Sequence, residues 1–400
     1  MRLLLKLGLG LGPVLALVLG LATGARADEA VAPVGSPAAA QPAARPTTTA
    51  HLRFGYYEQK DGHGRDGNPF LDEHEQVLEP VLVVEQQVGK DSAWTLKLAH
   101  DYVSSASIAR LDNYPTQSGA SADYYAGVDL GARTKVGEQV GVAATAHGAF
   151  ERDYRSAGGT AAVSWESEDK NTALSLSVTG YYDTVLRILY NGRNLGSAPR
   201  RTLNLDLQVY RVLTPWLHGE VGYSFTRQWG FLETALNSVV LEPPGASPNP
   251  LLIDSFPGVE VTEALPGLRL RHALRARARG LFGPIALELE LRGYVDSWGV
   301  EAGEVSPRAF AWVVPDLLRL RLGYRYYRQS RARYFRERFP QETYHRTQDS
   351  DLAALDSHTL SAQLALYLGE RWRLDLSCEY VWRSDDLDQI RTSAGIGARF

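Results

Sequence analysis

Arginine shows the clearest chemical bias of any residue type in this chain. Two rows of it recur at every second position. Arg269, Arg271, Arg275, Arg277 and Arg279 run beside Leu268, Leu270 and Leu274, and Arg319, Arg321 and Arg325 run beside Leu318, Leu320 and Leu322. A guanidinium is always charged and donates in a fixed fork, so a row of them must bind carboxylates or draw anions. The segment after the first row carries Glu288 and Glu290. If the two segments form a hairpin, arginines 275–279 lie beside those glutamates and cross-strand ion pairs follow. The second row has no such counter-charge, since its neighbours offer Ala309 and Ala311, or Ser361 and Gln363. Arg319, Arg321 and Arg325 are therefore the expected selectivity-setting patch of a pore wall. Pairing with a plug loop, or across the lumen with Asp375 and Glu379, is the alternative.

Other chemistry is thinner. Asp61, His63, Asp66, Asp72, Glu73 and His74 supply metal-type donors in loop 61–73. Their spacing does not match the calcium-loop template, and a solvated polar loop is the expectation. His100 and Asp101 are adjacent, so on a strand they point to opposite faces. His147, His218 and Ser224 fall on the polar faces of different segments, with no local motif tying them. No nucleophile elbow, zinc helix or phosphate loop occurs. Neither a catalytic residue nor a metal ligand nor a cofactor is expected. The single cysteine, Cys378, excludes an intramolecular disulfide and a multi-cysteine cluster.

The elements that must carry these residues have a period of two. Leu203, Leu205, Leu207 and Val209 alternate with Asn204, Asp206, Gln208 and Tyr210; Trp372, Leu374, Leu376 and Cys378 alternate with Arg373, Asp375 and Ser377. Such segments have one apolar and one polar face, as β-strands do. About sixteen occur between His51 and Phe400, many of ten residues or more, the length of a tilted membrane strand. Tight connections (Gly89–Ser92, Lys135–Glu138, Asp169–Asn171, Thr214-Pro215, Gly283-Pro284, Pro315-Asp316, Gly369-Glu370) alternate with mostly long polar ones at 61–73, 105–120, 184–199, 229–266 and 329–356. Short turns at one end and long loops at the other define a transmembrane β-barrel. The alternation predicts an all-β, antiparallel up-and-down barrel of about sixteen strands, range 14–18, with periplasmic turns and extracellular loops. In that barrel both arginine rows and Glu288 and Glu290 line the lumen, because a charge on the lipid face is costly. The Pro-rich loop 229–266 either folds inward as a constriction or stays outside.

The N-terminus reads as an address. Arg2 and Lys6 precede an apolar run from Leu7 to Leu21 and the small-x-small set Ala25-Arg26-Ala27, a signal peptide cleaved after Ala27. Residues 28–50, rich in Ala, Pro and Thr, form a periplasmic linker, and residues 51–400 form the barrel. The last strand alternates Ile390, Thr392, Ala394, Ile396 and Ala398 and ends on Phe400, which resembles the assembly signal read by the barrel-assembly machinery. Trp94, Tyr124, Phe150, Trp165, Tyr181, Trp216, Trp312, Trp372 and Trp382 fall near strand ends, as in aromatic girdles. Hydrophobic residues at 44% with 10% aromatics exclude a disordered chain, and a net charge of -4 gives no basic field for nucleic acid.

Four short motifs carry a family resemblance: Tyr56-Tyr57-Glu58, Glu79-Pro80, Asp101-Tyr102-Val103-Ser104-Ser105-Ala106-Ser107 and Asp153-Tyr154-Arg155-Ser156. By these the chain resembles an uncharacterised, domain-of-unknown-function family of predicted bacterial outer-membrane β-barrels. The resemblance implies fold and location and brings no activity with it. The expected function is passive passage of small hydrophilic solutes, leaning to anions, in the outer-membrane bilayer. A plugged scaffolding barrel that recruits a partner, a lipid-modifying enzyme using His147 or His218, and a secreted soluble β-sandwich are the alternatives.

Overall fold

The computed structural model describes residues 47–60, 74–107, 123–189, 193–234, 237–241 and 259–400. The expected signal peptide, most of the expected linker, loop 61–73 with its metal-type donors, and the proline-rich centre of loop 229–266 lie outside these residues.

Eighteen strands follow in chain order: β1 (Thr48–Lys60), β2 (His74–Val88), β3 (Ser92–Ser107), β4 (Asp123–Val136), β5 (Val140–Phe150), β6 (Tyr154–Glu166), β7 (Thr172–Ile188), β8 (Asn194–Thr214), β9 (Leu217–Gly230), β10 (Ser238–Leu241), β11 (Val259–Thr262), β12 (Leu268–Phe282), β13 (Ile285–Asp296), β14 (Glu301–Val314), β15 (Leu318–Gln329), β16 (Leu355–Leu368), β17 (Trp372–Arg383) and β18 (Asp388–Arg399). Sixteen of them close into one barrel in which each strand pairs antiparallel with its neighbours in the chain, β9 with β12 across the long loop and β18 back onto β1. The β1–β18 seam runs without a shift from Thr49 opposite Arg399 to Lys60 opposite Asp388. Closure removes both sheet edges, so every strand hydrogen-bonds on two sides and none is left for solvent or lipid.

The outer wall is apolar. Leu287, Leu289 and Leu291 on β13 are 45–47% exposed, and Leu374 and Leu376 on β17 repeat the pattern. Such a continuous apolar belt is incompatible with a soluble β-sandwich, which buries its apolar faces between two sheets. Trp94, Trp165, Trp216, Trp372 and Phe400 are exposed near the turn end, and Tyr124 and Phe150 near the loop end. Phe400 hydrogen-bonds Thr48 across the seam, and its ring meets Trp372 edge-on at 6.4 Å. Two of the nine girdle aromatics turn inward instead. Tyr181 covers Gly158, whose missing Cβ leaves room that any side chain would take from the ring. Trp312 stands opposite Arg319 on the same face, its ring tilted against that of Tyr367 at 5.3 Å. Position near a strand end sets height along the wall, and parity alone sets the face.

The connection 184–199, read from sequence as a long loop, is a correction. β7 runs to Ile188 and β8 begins at Asn194, so the hairpin projects beyond the belt. Pro199, the left-handed Gly196 and a register shift between Leu186 and Ile188 break the alternation there and disguise the strand.

At the loop end, the two longest connections pack on each other. β10 and β11 form a separate hairpin. Leu265, Trp298, Val300, Ala332, Phe335, Leu352 and Ala353 bury a small apolar core between loops. The short 3-10 turn Ser350–Leu352 hangs inside the mouth: Gln329 on β15 donates to the carbonyls of Asp351 and Ala353 at 2.8 Å, and Arg383 on β17 donates to the Asp351 carboxylate at 2.7 Å. Among the described residues the segment 330–354 reaches inward, a role the sequence reading considered for 229–266, whose proline-rich centre lies outside them.

Candidate functional site

Strand parity sends alternate side chains into the lumen, and there the two arginine rows meet different surroundings. In the first row, Arg277 lies opposite Glu290 and Arg279 opposite Glu288, the juxtaposition expected of that hairpin. The ion pairs are distributed differently. Glu288 bridges Arg279 at 2.7 Å and Arg308 of β14 at 2.8 Å, and Glu290 lies 3.5 Å from Arg308. Arg275 and Arg277 turn the other way and share Glu220 on β9, at 2.7 and 2.6 Å. Glu220 and Arg308 were missed in the sequence because Glu220 is the one acid and Arg308 the one base of its segment, so neither forms a row. At the top of the row, buried Arg269 holds Asp296 at 2.5 Å and lies 4.3 Å from the Trp298 ring. Arg271 is buried beside it. Four of the five arginines of this row are thus ion-paired within the wall.

Removal of its central carboxylate tests that description. Glu288→Ala is expected to lower barrel stability by about 1–3 kcal/mol, since Arg279 and Arg308 lose their shared acceptor while keeping part of their hydration. Urea refolding into vesicles, followed by gel mobility, measures it; an unchanged midpoint would show that the pairing adds nothing.

The second row is different. Arg319 stands opposite Trp312 and Ala365, Arg321 opposite Phe310 and Gln363, and Arg325 opposite Thr359. Ala309 and Ala311 face Leu322 and Leu320 on the outer side, not the arginines. Residues 309–312 are all apolar, so parity of β14 was ambiguous in the sequence. Arg325 hydrogen-bonds the Thr359 hydroxyl at 3.2 Å. The contact of Arg319 among the described residues is the Tyr367 ring, 5.9 Å from its guanidinium. Asp375 is taken by Arg373 at 2.5 Å and lies 3.4 Å from His51.

These residues surround a lumen cavity of about 790 Å³ at the turn end, whose wall contains Arg53, Arg279, Arg319, Arg321 and Arg373 with Arg371 and Arg399 at its rim, against Glu370 and Asp375. Three of these arginines have carboxylate partners, Arg53 with Glu79 at 3.6 Å, Arg279 with Glu288 at 2.7 Å and Arg373 with Asp375 at 2.5 Å. The lining then holds four further arginines, Arg319, Arg321, Arg371 and Arg399, against Glu370, so the potential there is still positive. Arg325 is not part of that lining; it stands further up the wall.

The histidines are separated by the fold. His147 Nδ1 hydrogen-bonds the Asp129 carboxylate of β4 at 2.6 Å, while His218 lies on β9, four strands from His147, its ring tilted against Tyr210 at 5.5 Å. Among the described contacts of His147 there is no serine or threonine hydroxyl. His100 turns outward against Tyr124, and Asp101 is buried on the inner face.

A closed sixteen-strand antiparallel barrel with an apolar outer belt and a charged interior is the architecture of outer-membrane barrel proteins. Within that class, the chain belongs to the family described as protein of unknown function DUF3570, whose profile matches residues 112–396. Of the four motifs that carried the resemblance, Asp153-Tyr154-Arg155-Ser156 falls inside the match; there Tyr154 and Ser156 both donate to Asp183, at 3.0 and 2.7 Å. No curated protein matches in sequence. Among solved structures, a bacterial polysaccharide outer-membrane secretin is similar at 8% identity and a TM-score of 0.50, over 88% of this chain and 98% of that one. OpdK of Pseudomonas aeruginosa, crystallised with vanillate, is similar at 10% identity and a TM-score of 0.43, over 89% and 99%. A loop-deletion form of OmpT, an outer membrane protein of Vibrio cholerae, gives the same three figures for identity, TM-score and coverage of this chain. At these identities the likeness concerns the fold.

Proposed function

We propose that this protein is an outer-membrane channel for small anionic solutes, narrowed at its outer mouth by the tethered loop 330–354. The observation that carries this reading is the arginine excess around the 790 Å³ turn-end cavity. Sixteen strands are enough to leave an aqueous lumen. A lining in which arginines outnumber carboxylates lowers the energy of an entering anion and raises that of a cation, so it selects by charge while the mouth selects by size. The outer belt, the turn and loop ends, and the leader at residues 1–27 support an exported chain inserted with its turns toward the periplasm.

The test is a single-channel recording on residues 28–400 in a planar bilayer under a tenfold salt gradient, where an ideally selective pore reverses at about 59 mV. The expected reversal lies on the anion side. Replacing Arg319, Arg321 and Arg325 with Ala is expected to move it toward the cation side by at least about 10 mV. An unchanged reversal potential would overturn the assignment. The tethered mouth favours a second reading, a barrel closed at rest; folded, inserted protein that stays silent would select it.

A further inference from the structure

The outer wall carries a second arginine set. Arg155 on β6, Arg201 on β8 and Arg227 on β9 are exposed and stand on the outward face near the loop end. Their parity is that of Val163, Leu207 and Val221, which belong to the apolar belt. Each guanidinium lies beside an aromatic ring of the same face: Arg155 at 5.5 Å from Phe150, Arg201 at 5.4 Å from Tyr182 and Arg227 at 5.0 Å from Trp229. The register makes the set contiguous. Phe150 is opposite Arg155, Tyr182 is opposite Arg201, and Arg201 is opposite Trp229.

The described outward positions of β5 to β9 at this end hold no carboxylate, because Asp183, Asp206 and Glu220 all point inward. The other side of the rim differs. Arg328 on β15 faces Asp356, and Tyr380 donates to Asp388. Among the described residues of the loop-end rim, these outward cations therefore fall in one sector. Placing them at the lipid face is unfavourable in hydrocarbon and favourable only where anionic headgroups begin. Aromatic rings mark that height.

We infer that Arg155, Arg201 and Arg227 form a binding site for an outer-leaflet lipid whose headgroup carries more than one phosphate. From β6 to β9 the wall advances three strand spacings of about 4.8 Å, roughly 14 Å in all. A single phosphate reaches one or two of the three arginines across that distance, whereas a headgroup with phosphates at both ends spans them. Bidentate guanidinium–phosphate pairing supplies the affinity, and the rings beneath hold the guanidinium planes in place. The inference rests on the membrane reading above, and it is independent of any solute passing through the lumen.

The experiment uses the full mature chain in phosphatidylcholine vesicles doped with diphosphorylated lipid A, dephosphorylated lipid A or phosphatidylglycerol. Copies of each lipid retained on the barrel are counted by native mass spectrometry after detergent extraction. Insertion is scored separately, by heat-modifiable gel mobility, so failure to insert is distinguished from failure to retain lipid. The expected result is selective retention of the diphosphorylated lipid, lowered tenfold or more by combined Arg155→Gln, Arg201→Gln and Arg227→Gln. Arg211→Gln, exposed at the turn end of β8, is expected to leave retention unchanged. Equal retention of phosphatidylglycerol, equal loss in the Arg211 variant, or full retention in the triple variant would each overturn the proposal. Displacement of the lipid by millimolar inorganic phosphate would also overturn it, by making the sector a site for the free ion.

Discussion

Replacing Asp296 with Ala is expected to destabilise the loop end of the barrel by about 3–5 kcal/mol, the largest effect of any single change considered. Asp296 closes β13, and its carboxylate accepts from five donors. Arg269 reaches Oδ2 through Nε at 2.8 Å and Nη2 at 2.5 Å, Tyr294 donates its hydroxyl at 2.8 Å, and the amides of Trp298 and Val300 reach Oδ1 at 2.9 and 3.0 Å. The side chain is inaccessible to solvent and that of Arg269 is 3% exposed, so water cannot replace the lost partner. Truncation leaves a buried guanidinium and two buried amides with no acceptor. The Trp298 and Val300 amides also fix the turn that places both residues in the loop core. Loss of the carboxylate should therefore expose residues 331–338 to trypsin as well as lower the urea midpoint. Asp296→Asn keeps the shape without the charge and should fall between. A wild-type midpoint and digestion pattern for the alanine variant would sink this account.

Alkaline pH is expected to loosen the contact between the two long loops. Glu263, 3% exposed, accepts from the Thr347 hydroxyl at 2.6 Å and from the Thr234 amide at 2.9 Å. Asp349 lies on the facing loop, where Asn237 donates to it at 3.4 Å and the Asp351 amide at 3.0 Å. Burial, then the nearby Asp349 charge, raise the Glu263 carboxyl well above the ordinary carboxylate range; burial beside Asp351 raises Asp349 as well. The charged groups that face the pair are Asp351 on the same loop, Arg383 on β17 and Arg269 on β12. Both folded values exceed the unfolded ones, so folding of the cap favours the protonated forms. That stability is fully present below the unfolded value of about 4.3 and is lost as pH rises through the folded values. Proteolysis of residues 331–338 should accelerate from acid to alkaline pH. Glu263→Gln, which keeps hydrogen-bonding capacity without titrating, should flatten most of the dependence. A wild-type profile that is flat, or that runs in the opposite direction, would refute the mechanism.

Much of this architecture was legible because membrane strands obey a two-residue period with no exceptions for packing. Leu287, Leu289 and Leu291 must face one medium and Glu288 and Glu290 the other, so a register error of one residue would put carboxylates in lipid. That constraint fixed the sixteen barrel segments and placed Arg277 and Arg279 beside the glutamates. It failed where the period carries no contrast. Residues 309–312 are apolar throughout, so the neighbours of Arg319 and Arg321 were misread until β14 was seen to bring Phe310 and Trp312 inward. It failed again at 184–199, where Gly196 and Pro199 imitate a loop.

By itself, then, the sequence determined the class of fold, a strand count of about sixteen, which end carries the loops, and that the two arginine rows and Glu288 and Glu290 face the lumen, because these follow from local alternation and turn chemistry. Tertiary structure decided the partnerships. Glu220 pairs with Arg275 and Arg277 only because β9 meets β12 after the chain has left the barrel for a long loop. Thr347 reaches Glu263 across 84 residues. The cations around the turn-end cavity come from strands at both ends of the chain, and closure of the barrel alone makes them neighbours. Local periodicity carries no information on contacts between segments so distant in the chain, and ring closure creates those contacts all at once.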